Sequence, residues 1–292
     1  MQHDSNPAAL FCESDLAVSK YIIYTPSRFA RSSLLHLQEV GSLQAVKPYT
    51  TGRSGLSSYL FFIVRSGSGS FIYEGTEYRL NTGDCVFIDC RKTYSQITSE
   101  DLWELQWAHF NGPTMEEIYG KFRERGGLPV FHPKYGPQYQ ELLNQMYHLA
   151  GSGSYIVNME LSQMLMNLLT VLMKETWDRA ERRKTTGSKV DIDAVRQYID
   201  SNYMETITLD SLAEVFFIDK FYLTKIFKAQ FDTTINNYLN QVRITKAKEL
   251  LRFSELPIEE IGEKVGIGEP NYFARVFKKI EGVSPSSYRS QW

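Results

Sequence analysis

Two seven-residue segments hold the residue types best suited to chemistry. Residues 222–228 read Tyr-Leu-Thr-Lys-Ile-Phe-Lys, and residues 272–278 read Tyr-Phe-Ala-Arg-Val-Phe-Lys, so one pattern recurs after 50 residues. On a helix, Leu223, Ile226 and Phe227 share one face, and Lys220, Phe221, Thr224 and Lys225 share the face away from it. In the second copy Glu269, Asn271, Ala274 and Arg275 take the same free face. Asn271 and Arg275 can hydrogen-bond base edges, and Phe221 and Ala274 can touch thymine methyl groups. Lys228 and Lys278 suit phosphate clamps. Any one of these lysines alone also fits a solvated helix face; the repeat favours the set.

The repeat extends in both directions. Asp232 answers Gly282, Thr234 answers Ser284, and Tyr238 answers Tyr288. Leu212-Ala213 answers Ile261-Gly262, with one extra residue in the second turn. Self-similarity of this kind marks one supersecondary unit used twice, and each copy predicts a helix-turn-helix. Thr208, Asp219 and Thr234 are candidate caps. Pro257 suits a first helical turn, and Gly266 and Gly282 suit the entry and exit of the second basic helix. The helix from Thr234 to Leu251 carries Ile235, Leu239, Val242, Ala247, Leu250 and Leu251 on its buried side. It spans roughly 25 Å at 1.5 Å per residue. It could therefore hold the two units near one DNA turn (~34 Å) apart.

Net charge gives no help. The chain carries −2 overall, and residues 189–292 hold 14 Lys/Arg against 15 Asp/Glu. A neutral balance of this kind counts against nucleic-acid binding. The local distribution counts the other way: Lys220, Lys225, Lys228, Arg275, Lys278 and Lys279 lie on the second helices, whereas Asp210, Glu214, Glu259, Glu260 and Glu263 lie on the first.

The first half has β texture from Leu37 to Phe110. Residues 59–64 form a short apolar run, residues 70–73 and 76–80 flank a Glu74-Gly75 turn, and residues 85–88 and 102–110 read as further strands. Short strands near 10-residue spacing predict an antiparallel sandwich or barrel. Alternation puts Trp103, Leu105, Trp107 and His109 on one strand face, which fits either core packing or a pocket wall. His109 is the only His on these strands, too few for a metal site with three or four ligands. No cofactor is expected. From about Tyr139 the period becomes helical. Leu161, Leu165, Leu168 and Leu172 step by 4, 3 and 4, like a coiled-coil seam. The stripe fits packing on the β domain or a helix pair joining two subunits, so these leucines are candidate dimer contacts. Met159, Met164, Met166 and Met173 widen the apolar surface enough for both roles. Cys12, Cys85 and Cys90 have no metal spacing and fit reduced thiols. No apolar run nears the ~20 residues of a membrane span, and no signal-peptide pattern opens the chain. The expected location is the cytoplasm, with no membrane partner.

The last hundred residues resemble the DNA-binding domain of the AraC family of bacterial transcription regulators. The motif runs from Ile258 to Arg289 (IEEIGEKVGIGEPNYFARVFKKIEGVSPSSYR). Phe217 and Asp232 stand where the family usually has Gly, and Gly262 and Gly268 replace its usual Ala and Ser. The first half resembles the cupin-like sensor often joined to this module, through Gly67-Ser-Gly69, Gly83-Asp84 and the Trp-x-x-x-Trp-x-His-Phe-x-Gly motif of residues 103–112. The resemblance implies an α+β chain: an N-terminal antiparallel β-barrel of cupin-like, jelly-roll type with following helices, then an all-α domain with two helix-turn-helix units. Composition marks residues 1–36 as a polar, irregular arm and the charged stretch 179–189, ending in small residues, as a linker; the resemblance then makes 37–178 a sensing and dimerising domain and 190–292 a DNA-binding domain. It further implies base or backbone contacts at Lys220, Phe221, Thr224, Lys225, Lys228, Glu269, Asn271, Arg275 and Lys278. In the resembling sensors the Trp103–His109 face lines a sugar pocket, which implies ligand contacts from Arg53, Tyr94, Gln96, Leu105, Trp107 and His109.

The expected function is sequence-specific DNA binding by a homodimeric regulator. It would respond to a small molecule, a sugar or oligosaccharide, and activate sugar-utilisation genes through RNA polymerase. Two alternatives stand: a regulator whose first domain binds a protein, and a cupin-type enzyme with a helical appendage.

Overall fold

The computed structural model describes residues 10–152, 154, 156–184 and 191–291, and side chains 177–184 are left aside. The chain divides into two compact units, Met1–Thr186 and Gly187–Trp292.

The first unit contains strands β1 (Leu10–Glu13), β2 (Ala17–Ile23), β3 (His36–Ala45), β4 (Thr50–Arg53), β5 (Tyr59–Ser66), β6 (Ser68–Tyr73), β7 (Thr76–Asn81), β8 (Cys85–Asp89), β9 (Tyr94–Thr98), β10 (Glu104–Asn111) and β11 (Val130–Phe131). Its helices are α1 (Arg28–Ser33), α2 (Met115–Glu124), α3 (Gly136–Ala150) and α4 (Val157–Lys184). Two antiparallel sheets form: β1-β2-β3-β10-β5-β8-β11 and β4-β9-β6-β7. The expected antiparallel, cupin-like architecture is therefore present.

The larger sheet is covered on both faces. Leu60, Phe62, Val64, Val86 and Ile88 pack with Phe71, Tyr73 and Tyr94 of the smaller sheet. Phe61, Ile63, Phe87, Ala108 and Phe110 pack with apolar side chains of α2, α3 and α4. Two-sided cover explains why residues 59–64 read as an unbroken apolar run: all six are buried. The β6–β7 turn is built from Glu74 (φ 49°) and Gly75 (φ 80°), the two positive φ values of a hairpin turn that matches strand twist. At Gly69 an added Cβ would overlap the Trp103 ring, so the glycine lets β6 lie against that indole.

Three expectations need correction. Residues 10–33, read as part of an irregular arm, form β1, β2 and α1, and β2 pairs with β3 along its whole length. The expected linker is helical through Lys184, and 185–189 lie outside the described residues. The four leucines read as dimer contacts are consumed within the protomer: Leu161, Leu165, Leu168 and Leu172 are at most 1% exposed and belong to the core against the larger sheet. A side chain already desolvated there has no apolar area left for a second subunit. Glu175 holds the same helix inward, its carboxylate accepting the backbone N–H of Lys134 (2.8 Å) and Tyr135 (3.0 Å) at the entrance to α3.

The second unit is all helical: α5 (Ile192–Asn202), α6 (Leu209–Val215), α7 (Lys220–Phe231), α8 (Ile235–Phe253), α9 (Ile258–Lys264), α10 (Pro270–Glu281) and α11 (Pro285–Ser290). Helices α6–α7 and α9–α10 are the two helix-turn-helix units. Each has its own apolar cluster, and α8 contributes to both. Thr208, Asp219 and Thr234 all cap through side-chain hydrogen bonds. Asp232 takes the left-handed conformation at the end of α7 (φ 55°), as Gly282 does after α10 (φ 81°). On α8 the buried stripe differs from expectation: Arg243 and Ile244 are buried, whereas Val242 and Leu250 are half-buried.

Candidate ligand cavity and nucleic-acid face

The six residues expected to touch a ligand line one cavity of about 120 Å³ in the first unit. Strand register explains how. Trp107 lies opposite Gly41 on one side and Phe62 on the other, and His109 lies opposite Glu39 and Leu60. In the facing sheet Arg53 pairs with Tyr94 and Thr51 with Gln96. Period-2 alternation then aims Glu39, Leu43, Leu60, Phe62, Leu105, Trp107 and His109 at Thr51, Arg53, Tyr94 and Gln96 across the sandwich. Gly41 carries no side chain because a Cβ there would overlap Tyr21 on the neighbouring strand.

Polar groups in this cavity are held in place. The Trp107 indole N–H donates to Glu39 Oε1 at 2.9 Å. His109 Nδ1 lies 2.9 Å from Ser58 Oγ, and that hydroxyl donates to the Tyr59 carbonyl at 3.2 Å. With its hydrogen on the Tyr59 carbonyl, Ser58 accepts from Nδ1–H and Nε2 is a lone-pair acceptor; with its hydrogen on Nδ1, Nε2–H is a donor. Burial, aided by the Arg53 charge, lowers the His109 pKa to about 4, so the ring is neutral at pH 7. Burial also holds the Tyr94 hydroxyl well above its ordinary value, so it stays protonated. The cavity thus offers acceptors on Glu39 and Gln96, donors on Arg53 and Gln96, a neutral imidazole on His109, and the aromatic walls Phe62 and Trp107. Glu39 and Thr51 were not singled out in the sequence; the signal was their register opposite His109 and Gln96.

The expected DNA contacts sit on two matching helices. Phe221, Lys225 and Lys228 are exposed on α7 while Leu223, Ile226 and Phe227 are buried; Asn271, Ala274, Arg275 and Lys278 are exposed on α10 while Phe273, Val276 and Phe277 are buried. Three residues have additional duties. Lys220 pairs with Asp210 on α6 (2.8 Å), which offsets part of its charge. Thr224 Oγ1 donates to the Lys220 carbonyl (2.8 Å), leaving its methyl and lone pairs free. Glu269 caps α10, its two carboxylate oxygens accepting from the backbone N–H of Asn271 and Tyr272. Arg275 lies over the Tyr272 ring, 5.4 Å from its centroid, which limits the positions its guanidinium samples.

Residues 39–172 match the family model for an AraC-like ligand binding domain, and residues 212–291 match the model for a helix-turn-helix domain. The chain is 32% identical over 237 residues to the uncharacterized HTH-type transcriptional regulator YijO of Escherichia coli (strain K12), covering 77% of this chain and 79% of that protein. It is 24% identical over 265 residues to the Msm operon regulatory protein of Streptococcus mutans serotype c, covering 88% and 93%. It is 24% identical over 240 residues to the HTH-type transcriptional activator RhaR of Escherichia coli (strain K12), covering 78% and 83%. Among the described residues no helix is long and apolar enough to cross a membrane. With paired helix-turn-helix units behind a two-sheet sensor, and a relative this similar along most of its length, the chain belongs to the AraC family of DNA-binding transcription regulators.

Proposed function

We propose that the first unit binds a single sugar ring and that this binding changes which DNA sites the second unit occupies. The cavity carries the reading. Its acceptors, Glu39 and Gln96, suit hydroxyl donors, Arg53 supplies the complementary donors, and the neutral His109 ring does one or the other according to its tautomer. Aromatic walls suit the C–H faces of a pyranose. At about 120 Å³ the cavity is smaller than the ~150 Å³ that takes benzene, so in this reading a sugar enters with part of its ring outside the lining, and an oligosaccharide is not enclosed. In this reading α7 and α10 enter successive major grooves. Asn271 and Arg275 read bases, Phe221 and Ala274 meet thymine methyl groups, and Lys225, Lys228 and Lys278 hold phosphates. The regulator acts in the cytoplasm as an activator that contacts RNA polymerase, and as a homodimer whose contact lies elsewhere than the four α4 leucines.

The test is a titration of the purified chain with a panel of monosaccharides and disaccharides, read by tryptophan fluorescence, alongside binding to its own upstream DNA at two salt concentrations. One monosaccharide should bind, alter DNA occupancy, and lose its effect in Trp107→Ala while DNA binding persists. Tight DNA binding indifferent to every sugar, with a protein captured by the first unit instead, would favour the reading in which that unit binds a protein; the open cavity counts against it.

A further inference from the structure

Arg243 lies midway along α8, between the two helix-turn-helix units, and is only 9% exposed. No carboxylate pairs with it among the described residues. Its Nε donates to the Tyr203 carbonyl at 2.8 Å and its Nη2 to the Glu205 carbonyl at 2.7 Å. Both carbonyls belong to the corner between α5 and α6, at the base of the first helix-turn-helix. That corner also meets the second helix-turn-helix. A Cβ on Gly266, in the α9–α10 turn, would come within 2.6 Å of the Met204 carbonyl, 2.9 Å of the Tyr203 carbonyl and 3.0 Å of Arg243 Nη2. Tyr203 packs against both apolar clusters. One guanidinium therefore ties together the connecting helix, the α5–α6 corner and the α9–α10 turn.

A connecting helix alone sets a distance. It does not set the rotation of the units about its two ends. A planar guanidinium anchored at two carbonyls removes that freedom, because its donors point in fixed directions. A base pair inserted between two half-sites moves them apart by about 3.4 Å and rotates one against the other by roughly a tenth of a turn. A rigid pair of recognition helices cannot follow both changes.

We propose that Arg243 is a positioning residue for DNA recognition: it fixes α10 relative to α7, so that the chain accepts one spacing between the two half-sites it reads. This rests on the second unit binding DNA through both helices.

The experiment selects sites from a random-sequence DNA pool with the full chain. It then measures affinity for the recovered site and for versions with one base pair inserted or removed between the half-sites. The wild type should lose about tenfold or more affinity on either change, comparable to a mismatched base pair. Arg243→Met should bind the parent site more weakly and show a flattened spacing profile, with base preference inside each half-site unchanged on reselection. Arg243→Lys, which keeps one donor head, should fall between them. Thermal unfolding checks that the variants are folded; if Arg243→Met is not, the wild-type and Arg243→Lys profiles decide. A variant with weaker binding and an unaltered spacing penalty would make Arg243 a stability residue only and overturn the proposal, as would a wild type that tolerates both spacings. Failure to enrich any sequence would instead overturn DNA recognition by the second unit, and the proposal with it.

Discussion

His109 is buried as a neutral ring, which makes the first unit's stability depend on pH in a definite direction. Its pKa falls from an ordinary 6.5 to about 4, chiefly through burial and secondarily through Arg53. As pH falls, the unfolded chain protonates this residue near 6.5, whereas the folded chain resists until about 4. Between those values the unfolded state binds more protons, so stability falls as pH falls, and the loss is complete below about 4. At ~1.36 kcal/mol per pKa unit the full loss is on the order of 3 kcal/mol, of which about 2 kcal/mol is reached at pH 5. Urea unfolding of the full chain, followed by fluorescence to which Trp103 and Trp107 contribute, measures it. His109→Gln is the control, since Gln can donate to Ser58 and does not titrate. The wild type should lose about 2 kcal/mol more than the variant between pH 7 and pH 5. Parallel pH profiles for the two proteins would show that His109 is not held neutral, and its assignment as a neutral imidazole facing ligand hydroxyls would fall with it.

Four other substitutions test the packing. Leu168→Ala removes a side chain with no exposure and should destabilise the first unit by about 2–5 kcal/mol while leaving the particle mass in light scattering unchanged; loss of a dimer without loss of stability would restore the leucine stripe as an interface. Gly69→Ala drives a Cβ into Trp103 and should cost about 1–3 kcal/mol, whereas Gly268→Ala meets open space and should be neutral or stabilising by about 0.4–1 kcal/mol in the same melts. Phe217→Gly relieves a left-handed residue whose ring is 97% exposed. The ~1–2 kcal/mol of conformational strain outweighs glycine's extra chain entropy, for a net gain of up to about 1 kcal/mol in urea unfolding; a net loss would mean that the ring has a packing partner.

Local patterns were legible where one physical rule applied without competition. Caps at Thr208, Asp219 and Thr234 follow from side chains that can reach a free N–H. The shared face of Trp103, Leu105, Trp107 and His109 follows from strand alternation alone. The α4 stripe was ambiguous because a 4-3-4 spacing satisfies a sheet surface as readily as a second helix; only the sheet's position assigns Leu161, Leu165, Leu168 and Leu172 to the core. Likewise β1 and β2 were hidden because β1 is exposed at all four residues, so no alternation marks it, and it exists through pairing with β2. Glu39 and Thr51 became readable as cavity residues only once strand order set them opposite known neighbours.

The two turns show how the repeat and its departures arise from one cause. Phe217 and Gly266 occupy equivalent turns, and both require positive φ (52° and 80°). Gly266 lies against the α5–α6 corner, where a Cβ would crowd the Tyr203 and Met204 carbonyls and the Arg243 guanidinium. Phe217 stands in solvent. Conformation alone favours glycine at both positions, but close packing enforces it only at the second. The Phe in the first turn therefore marks the absence of a joint there, and the glycine in the second marks its presence. Arg243 carried a matching signal: it falls four residues after Leu239 and four before Ala247, within the buried stripe of α8. Its charge placed it on the surface by type, since Arg is rarely buried without partners. Here the partners are backbone carbonyls, which no pattern of side chains along the sequence discloses.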